Sequence, residues 1–279
     1  MRLATVRVDG RHHGALLEGD QLILHEEPDV RALLDEQERS GRLGTRLTRT
    51  IPLDEADFAP LVPEPSKVFC VGLNYRNHIL EMGHELPSHP TLFAKFADSL
   101  VGAADPIVLP PVSHAPDWEV ELTVVVGRTI RSASEKQAAA AIAGYTVGND
   151  VSMRDWQNRT MQWLQGKAFA DSTPIGPMLV TPDECGGAAD LALTCSVNGT
   201  VMQSSRTSDL VFGPAELVSY CSRIVPLRPG DLILTGTPGG VGHARRPPLH
   251  LQPGDVVRSE ISGLGTCENL CIAGAASPA

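Results

Sequence analysis

The sequence predicts a β-dominated α+β fold, and three observations predict it. Apolar runs of strand length recur along most of the chain. Helical periodicity surfaces in only a few segments. Turn signals built on Gly, Pro, Asn and Asp separate these elements in an order too mixed for regular βαβ alternation. The 26 Gly and 22 Pro supply those turns, and a 42% hydrophobic content in 279 residues allows one large domain, or a large domain with a small companion. No repeat of fixed period is present.

Taken in order, "RLATVRV" and "HGALLEGDQLILH" read as short alternating strands, followed by a helix around "DVRALLDEQERSG" that stops at Gly41. Pro63 and Pro65 then mark a boundary, because proline fixes φ and pushes the residue before it into extended geometry. A small N-terminal α+β domain, 1–63, is therefore expected ahead of a larger domain, 66–274. In the larger domain "KVFCVGL" has strand length, and "NYRNHILEMGHEL" has helical spacing with Gly83 as its stop. "SASEKQAAAAIAG" reads as a helix, with Ser134 and Gln137 as a capping box before an alanine run. Asn198-Gly199 between two strand-like runs predicts a hairpin. "FGPAELVSYCSRIVPL" is a further helix, and Pro-Gly-Asp turns precede the strands "LILTG" and "VVRSEI".

A formal net charge of -10, without long runs of one sign, gives no support to a nucleic-acid or anionic-membrane surface. A small-molecule partner is the expectation. No stretch approaches the roughly 18 apolar residues of a membrane span, and the N-terminus lacks a signal peptide's apolar core. Six cysteines without a CxxC pair or a zinc-like spacing read as free core thiols, and a cytoplasmic location is expected.

The stretch "WEVELTVVVG" carries the chemistry. On a strand, Trp118, Val120, Leu122, Val124 and Val126 share one face, while Glu119 and Glu121 share the other with Val125. Two carboxylates facing one buried space repel and raise each other's pKa unless a positive charge sits between them. Asp150, at the end of "AGYTVGND", offers a third oxygen. Three carboxylates without Cys or His partners suit Mg²⁺ or Mn²⁺. Spacing alone favours a solvated acidic face, since charged residues are usually exposed.

The blocks "CVGLNYRNHILEMG", "PTLFAKFADSLVG", "DWEVELTVVVGR", "GYTVGNDVSMRDWQ", "GKAFADSTPIGP", "VNGTVMQ", "LRPGDLILTGTPGGVG" and "GDVVRSEISGLGTCENL" occur in the order seen in the fumarylacetoacetate hydrolase family. Over about Lys67 to Leu270 the chain resembles the branch that contains acylpyruvases, fumarylpyruvate hydrolases and oxaloacetate decarboxylases. The resemblance implies a mixed β-sandwich roll, a homodimer, and one Mg²⁺ or Mn²⁺ per site. It makes Glu119, Glu121 and Asp150 the metal ligands, with Trp118 in place of the family's usual Tyr or Phe. It makes His78 and Glu81 the pair that activates water, and Lys167 the cation opposite the reacting oxygen. Lys95 is implied to line the cleft, Arg154 and Gln157 to contact the pyruvate end of the substrate, and Thr237 to hold its carboxylate.

The activity expected from these residues is hydrolysis of a C–C bond in a 2,4-dioxo acid of acylpyruvate type, through a pyruvate enolate. The alternative is a 2-oxo acid decarboxylase or keto–enol tautomerase/isomerase, acting on oxaloacetate or 2-hydroxyhepta-2,4-dienedioate, because those reactions use the same enolate without attack by water. A binding protein that keeps the fold without turnover is the third reading. Trp156, Met161 and Trp163 are candidates for an apolar pocket lining, and Arg245 and Arg246 are either a surface loop or a clamp for a second carboxylate.

Overall fold

A computed structural model describes residues 1–44, 46–81, 83 and 85–275; the side chain of Glu81 lies outside the described residues. Two sheets dominate. The larger runs edge to edge through Leu47–Pro52, Gln21–His25, Arg11–Glu18, Arg2–Val8, Thr173–Val180, Ile142–Asn149, Val120–Val126, Leu232–Leu234, Val68–Gly72 and Thr91–Lys95. The smaller contains Thr200–Arg206, Ala192–Val197, Val256–Ile261, Gly265–Ala273 and Ile107–Leu109. Most pairs are antiparallel, but Leu232–Leu234 runs parallel to Val68–Gly72, so the large sheet is mixed.

The sheets bury a shared core, as a β-sandwich must. Trp118, Val120, Leu122, Val124 and Val126 pack in one cluster with Leu193, Cys195, Val197, Val257, Ile261 and Cys267 from the smaller sheet. Val125, on the opposite face, joins a second cluster with Leu3, Leu33 and Leu179. Both faces of the central strand are thus covered, which is why it reads as a near-continuous apolar run. All six cysteines are buried and free.

The strands of residues 1–63 continue the larger sheet, with Arg2 opposite Val180 and Leu3 opposite Leu179. The Val30–Ser40 helix begins at Asp29, whose carboxylate accepts from the Ala32 amide at 2.7 Å, and ends at Gly41 with φ 73°. Asn198 and Gly199 both have positive φ, as a tight hairpin turn requires. The Pro214–Ile224 helix and the strands after both Pro-Gly-Asp turns match the sequence reading.

Two elements differ from expectation. The alanine-rich helix stops at Glu135–Ala139, although its capping box at Ser134 and Gln137 is complete. From Ile142 the chain is a strand, because pairing with Val120–Val126 across a full ladder outweighs alanine's helix propensity. The ladder of the central strand starts at Val120, leaving Trp118 and Glu119 just before it. Among the described residues no helix is long and apolar enough to cross a membrane.

Candidate active site

Strand register brings the three carboxylates together. Val120 pairs with Asn149 and Glu121 with Gly148, so Asp150 follows directly alongside Glu119, and its amide donates to the Glu119 carbonyl at 2.8 Å. The Asn149 side chain fixes this end by accepting from the Glu119 amide at 2.9 Å and donating to Ser259 Oγ at 2.8 Å. One oxygen from each of Glu119, Glu121 and Asp150 lies within 4.8 Å of the others, and all three residues are buried. A single hard cation bonded at about 2.0–2.6 Å to each can span such a set.

Cations already press on two of the three. Lys167 Nζ donates to Glu119 Oε2 at 2.7 Å and to Asp150 Oδ2 at 2.9 Å, and Arg154 Nη2 lies 2.6 Å from Glu119 Oε1. Lys95 Nζ is ion-paired with Asp150 Oδ1 at 2.8 Å, and among the described residues that oxygen has no aligned hydrogen bond, so a buried lone pair is open to a further ligand. The Lys95 amine is otherwise spent on the carbonyls of Val151 and Lys167. Glu121 has only the Gly236 amide, at 2.7 Å, among its described hydrogen bonds. Gly236 can approach because it has φ 98° and because a Cβ there would stand 2.9 Å from the Val71 carbonyl.

These partners separate the carboxyls. Burial, and then the charges of Asp150 and Glu119, push Glu121 well above the usual carboxylate range. Burial also pushes Asp150 upward, but Lys167 and Lys95 outweigh it and hold that carboxyl below its ordinary value. Lys167 is raised despite burial, because Asp150 and Glu119 favour its charged form. The donor set therefore fits a divalent cation: three oxygens, one of them short of counter-charge, one with an unfilled acceptor position, and no softer ligand among them.

Glu119 and Glu121 open into a cavity of about 250 Å³. Glu119, Glu121, Arg154, Gln157 and Lys167 line it alongside His78, Phe93, Trp163, Thr237 and His243. Arg154 donates to Gln157 Oε1 at 2.8 Å, so the two residues on the Arg154–Gln157 helix act as a pair. That helix meets the Leu164–Lys167 helix at Gly166, where a Cβ would lie 2.4 Å from the Gln157 amide, and this close approach delivers Lys167 to the carboxylates. A larger cavity of about 430 Å³, beside Gln37, Glu38 and Arg128, lies away from the carboxylates.

Several expected residues sit differently from the sequence reading. Lys95 does not line the cavity; its side chain is wholly buried behind Asp150. Thr237 lines the cavity, but its hydroxyl donates to the Val120 carbonyl at 2.9 Å and accepts from Gln203 at 2.8 Å, so it has no proton left for a substrate carboxylate. Arg245 donates from Nη2 to the carbonyls of Met202 and Gly240, and neither Arg245 nor Arg246 lines this cavity. Trp163 lines the cavity, whereas Met161 is 97% exposed and Trp156 packs edge-on against Phe169. His78 lines the cavity from the Arg76–Glu81 helix, and the expected partner side chain of Glu81 lies outside the described residues. Sequence reasoning missed Asp117, Asn149 and Gln203, whose buried hydrogen bonds hold the site from behind. Only the polarity of "PDWE" and "GND" inside apolar surroundings hinted at Asp117 and Asn149.

Comparison with known proteins agrees with this geometry. Residues 67–271 match the family model for the fumarylacetoacetate (FAA) hydrolase C-terminal domain. The chain is 47% identical over 229 residues to "Oxaloacetate tautomerase FAHD2A, mitochondrial" from Bos taurus, covering 81% of this chain and 73% of that protein. The 2-hydroxyhepta-2,4-diene-1,7-dioate isomerase of Mycobacterium marinum superposes with a TM-score of 0.80 at 34% identity, over 99% of this chain and all of the other. The fumarylacetoacetate hydrolase of Exiguobacterium antarcticum superposes with a TM-score of 0.86 at 32% identity, over 98% of this chain and all of the other. With the fold, the carboxylate triad and these likenesses in agreement, the chain belongs to the fumarylacetoacetate hydrolase family.

Proposed function

We propose that this protein is a divalent-metal-dependent tautomerase or isomerase of 2-oxo acids, interconverting keto and enol forms of a substrate such as oxaloacetate. The observation that carries the reading is the 47% identity to an oxaloacetate tautomerase across the segment that builds the carboxylate triad and its cationic cavity. The isomerase among the solved relatives supports the same branch. The acylpyruvate-hydrolase expectation has less support, since it adds attack by water to the shared enolate chemistry and the likenesses to tautomerase and isomerase do not call for that step.

Glu119, Glu121 and Asp150 would hold a Mg²⁺ or Mn²⁺ ion, which when bound would supply Lewis-acid polarisation of the 2-oxo group. Arg154, oriented with Gln157, binds the carboxylate next to that group. Lys167 stays protonated, because two carboxylates hold its proton, and its fixed charge favours negative charge developing on the enolising oxygen. His78, at the cavity wall, moves the proton to and from the carbon beside the carbonyl. Phe93 and Trp163, whose ring centroids lie 5.6 Å apart, form an apolar wall that limits water. Lys95 acts from behind, by keeping Asp150 ionised.

The test is the ultraviolet decay of enol-oxaloacetate with Mg²⁺- or Mn²⁺-loaded protein, followed together with assays for CO₂ and pyruvate. Accelerated enol–keto interconversion without CO₂ supports the proposal. CO₂ release points to the decarboxylase, and pyruvate formed from acylpyruvates without enol–keto interconversion restores the hydrolase. The same proposal keeps a homodimer, tested by light scattering, and a division into units 1–63 and 66–274, tested by limited proteolysis near Pro63.

A further inference from the structure

The geometry points to Asp117 as a positioning residue that locks the Arg154 guanidinium and the turn around Gly242 into one wall of the cavity. What that wall binds rests on the tautomerase reading; the wall itself rests on hydrogen bonds.

Asp117 has no exposed surface and ends a two-residue strand paired with Ser152–Met153. Its carboxylate accepts four N–H groups. Oδ1 takes the amides of Trp118 at 2.9 Å and Gly242 at 2.7 Å. Oδ2 takes Arg154 Nε at 2.9 Å and the His243 amide at 2.9 Å. Four donors fill the acceptor positions of a carboxylate. The group is therefore satisfied by protein alone, and its charge is committed to the Arg154 guanidinium rather than to a metal ion or to solvent.

Arg154 is held between two opposing anions. Nε is fixed by Asp117, while Nη2 reaches Glu119 and Nη1 reaches Gln157. Without the pull of Asp117, the planar fork is free to close on Glu119 as a two-bonded pair. That collapse would set a second guanidinium N–H on Glu119, which already accepts from Arg154 and Lys167, and withdraw the guanidinium edge from the cavity.

A second observation ties the turn to the same carboxylate. A Cβ at Gly242 would stand 2.1 Å from the Leu249 carbonyl, 2.7 Å from the Trp118 ring and 2.9 Å from Asp117 Oδ1. No side chain fits between turn and carboxylate. The Trp118 indole also donates to the Gly240 carbonyl, at 3.3 Å, from below the turn. Val241, His243 and Ala244 of this turn line the cavity together with Arg154. Asp117 thus couples a cavity-lining cation to a cavity-lining turn, although it does not line that cavity itself.

The test compares Asp117→Asn with wild type and with Asp231→Asn. Asp231 is an equally buried aspartate that accepts from Lys67 and from the Arg228 amide, outside the cavity. Asparagine keeps the shape but sets an NH₂ against two of the four donors. Asp117→Asn is expected to raise KM for enol-oxaloacetate, and Kd for oxalate by calorimetry, about tenfold or more, with kcat within about threefold. Hydrogen exchange at the Gly242 and His243 amides of the metal-free protein should quicken. Asp231→Asn should lower Tm and leave KM, oxalate affinity and those two amides unchanged. In an Arg154→Lys background, Asp117→Asn should add little, because the two residues act through one contact.

Unchanged KM and oxalate affinity in Asp117→Asn, or additive effects with Arg154→Lys, overturn the inference. If Asp117→Asn does not fold, Asp117→Glu, which keeps the charge but displaces the carboxylate by one methylene, takes its place, and wild-type KM in that variant overturns it equally. Wild-type protein that neither binds oxalate nor interconverts oxaloacetate defeats the functional reading instead. The exchange rates of Gly242 and His243 then decide the wall alone, with unchanged protection in Asp117→Asn refuting it.

Discussion

Glu121→Gln tests the electrostatics of the carboxylate triad most directly. Glu119 faces Arg154 and Lys167, and Asp150 faces Lys95 and Lys167, whereas Glu121 receives one backbone amide. With Asp117 included, four buried carboxylates share three cations, Lys95, Arg154 and Lys167, so one negative charge is uncompensated. The raised proton affinity of Glu121 places the missing charge there. A carboxyl raised in the fold binds its proton more tightly than in the unfolded chain. Metal-free protein therefore loses stability as pH rises from the ordinary value of 4.5 towards the raised one. Glutamine keeps the acceptor for Gly236 and removes that slope. At a pH between the ordinary value and the raised one, metal binding to wild type should release protons, read as a dependence of calorimetric heat on buffer ionisation enthalpy. Glu121→Gln should abolish the release and weaken Mn²⁺ affinity about a hundredfold, equivalent to a metal-induced stabilisation smaller by about 2.7 kcal/mol. Wild-type Mn²⁺ affinity in Glu121→Gln, or no proton release from wild type, would refute the reasoning.

Other residues give further expectations. Lys167→Met strips the shared counter-ion from Glu119 and Asp150 and should cost the metal-free protein about 3–5 kcal/mol in urea denaturation; an unchanged midpoint contradicts the buried ion-pair account. Asn149→Ala leaves the Glu119 amide and the Ser259 hydroxyl without their partner, at a cost of about 1–3 kcal/mol, and should also weaken Mn²⁺ binding by loosening Glu119; stability lost without any change in metal affinity would detach Asn149 from the site. Ser134→Ala breaks a complete capping box on a five-residue helix and should lower stability by about 1 kcal/mol, with kinetics unaltered.

Local chemistry was legible where one or two residues settle a conformation. Asn198-Gly199 made its hairpin, Gly41 stopped its helix, and both Pro-Gly-Asp turns led into strands, since Gly and Asn admit the positive φ such turns need and Pro fixes its own φ, without help from distant contacts. The alternation of Trp118 to Val126 correctly divided the central strand into a core face and a carboxylate face. The alanine run misled because propensity is worth a few tenths of a kcal/mol per residue, less than the strand ladder that claims Ile142–Asn149. The sequence pattern could not foretell that Lys95 turns behind Asp150, that the Thr237 hydroxyl is spent on Val120, or that Arg245 braces backbone carbonyls. Each depends on partners brought from far along the chain.

The sequence by itself determined a β-dominated α+β fold, its principal turns, and the presence of three carboxylates whose spacing admits a cation site. Tertiary structure decided which charges meet them. Register across two strands sets Asp150 beside Glu119, close packing at Gly166 delivers Lys167, and the turn at Gly242 closes on Asp117. The physical reason is range. Backbone preference and side-chain alternation act over a few neighbouring residues, while the proton affinities of Glu121, Asp150 and Lys167 depend on burial and on charges contributed by separate strands and helices.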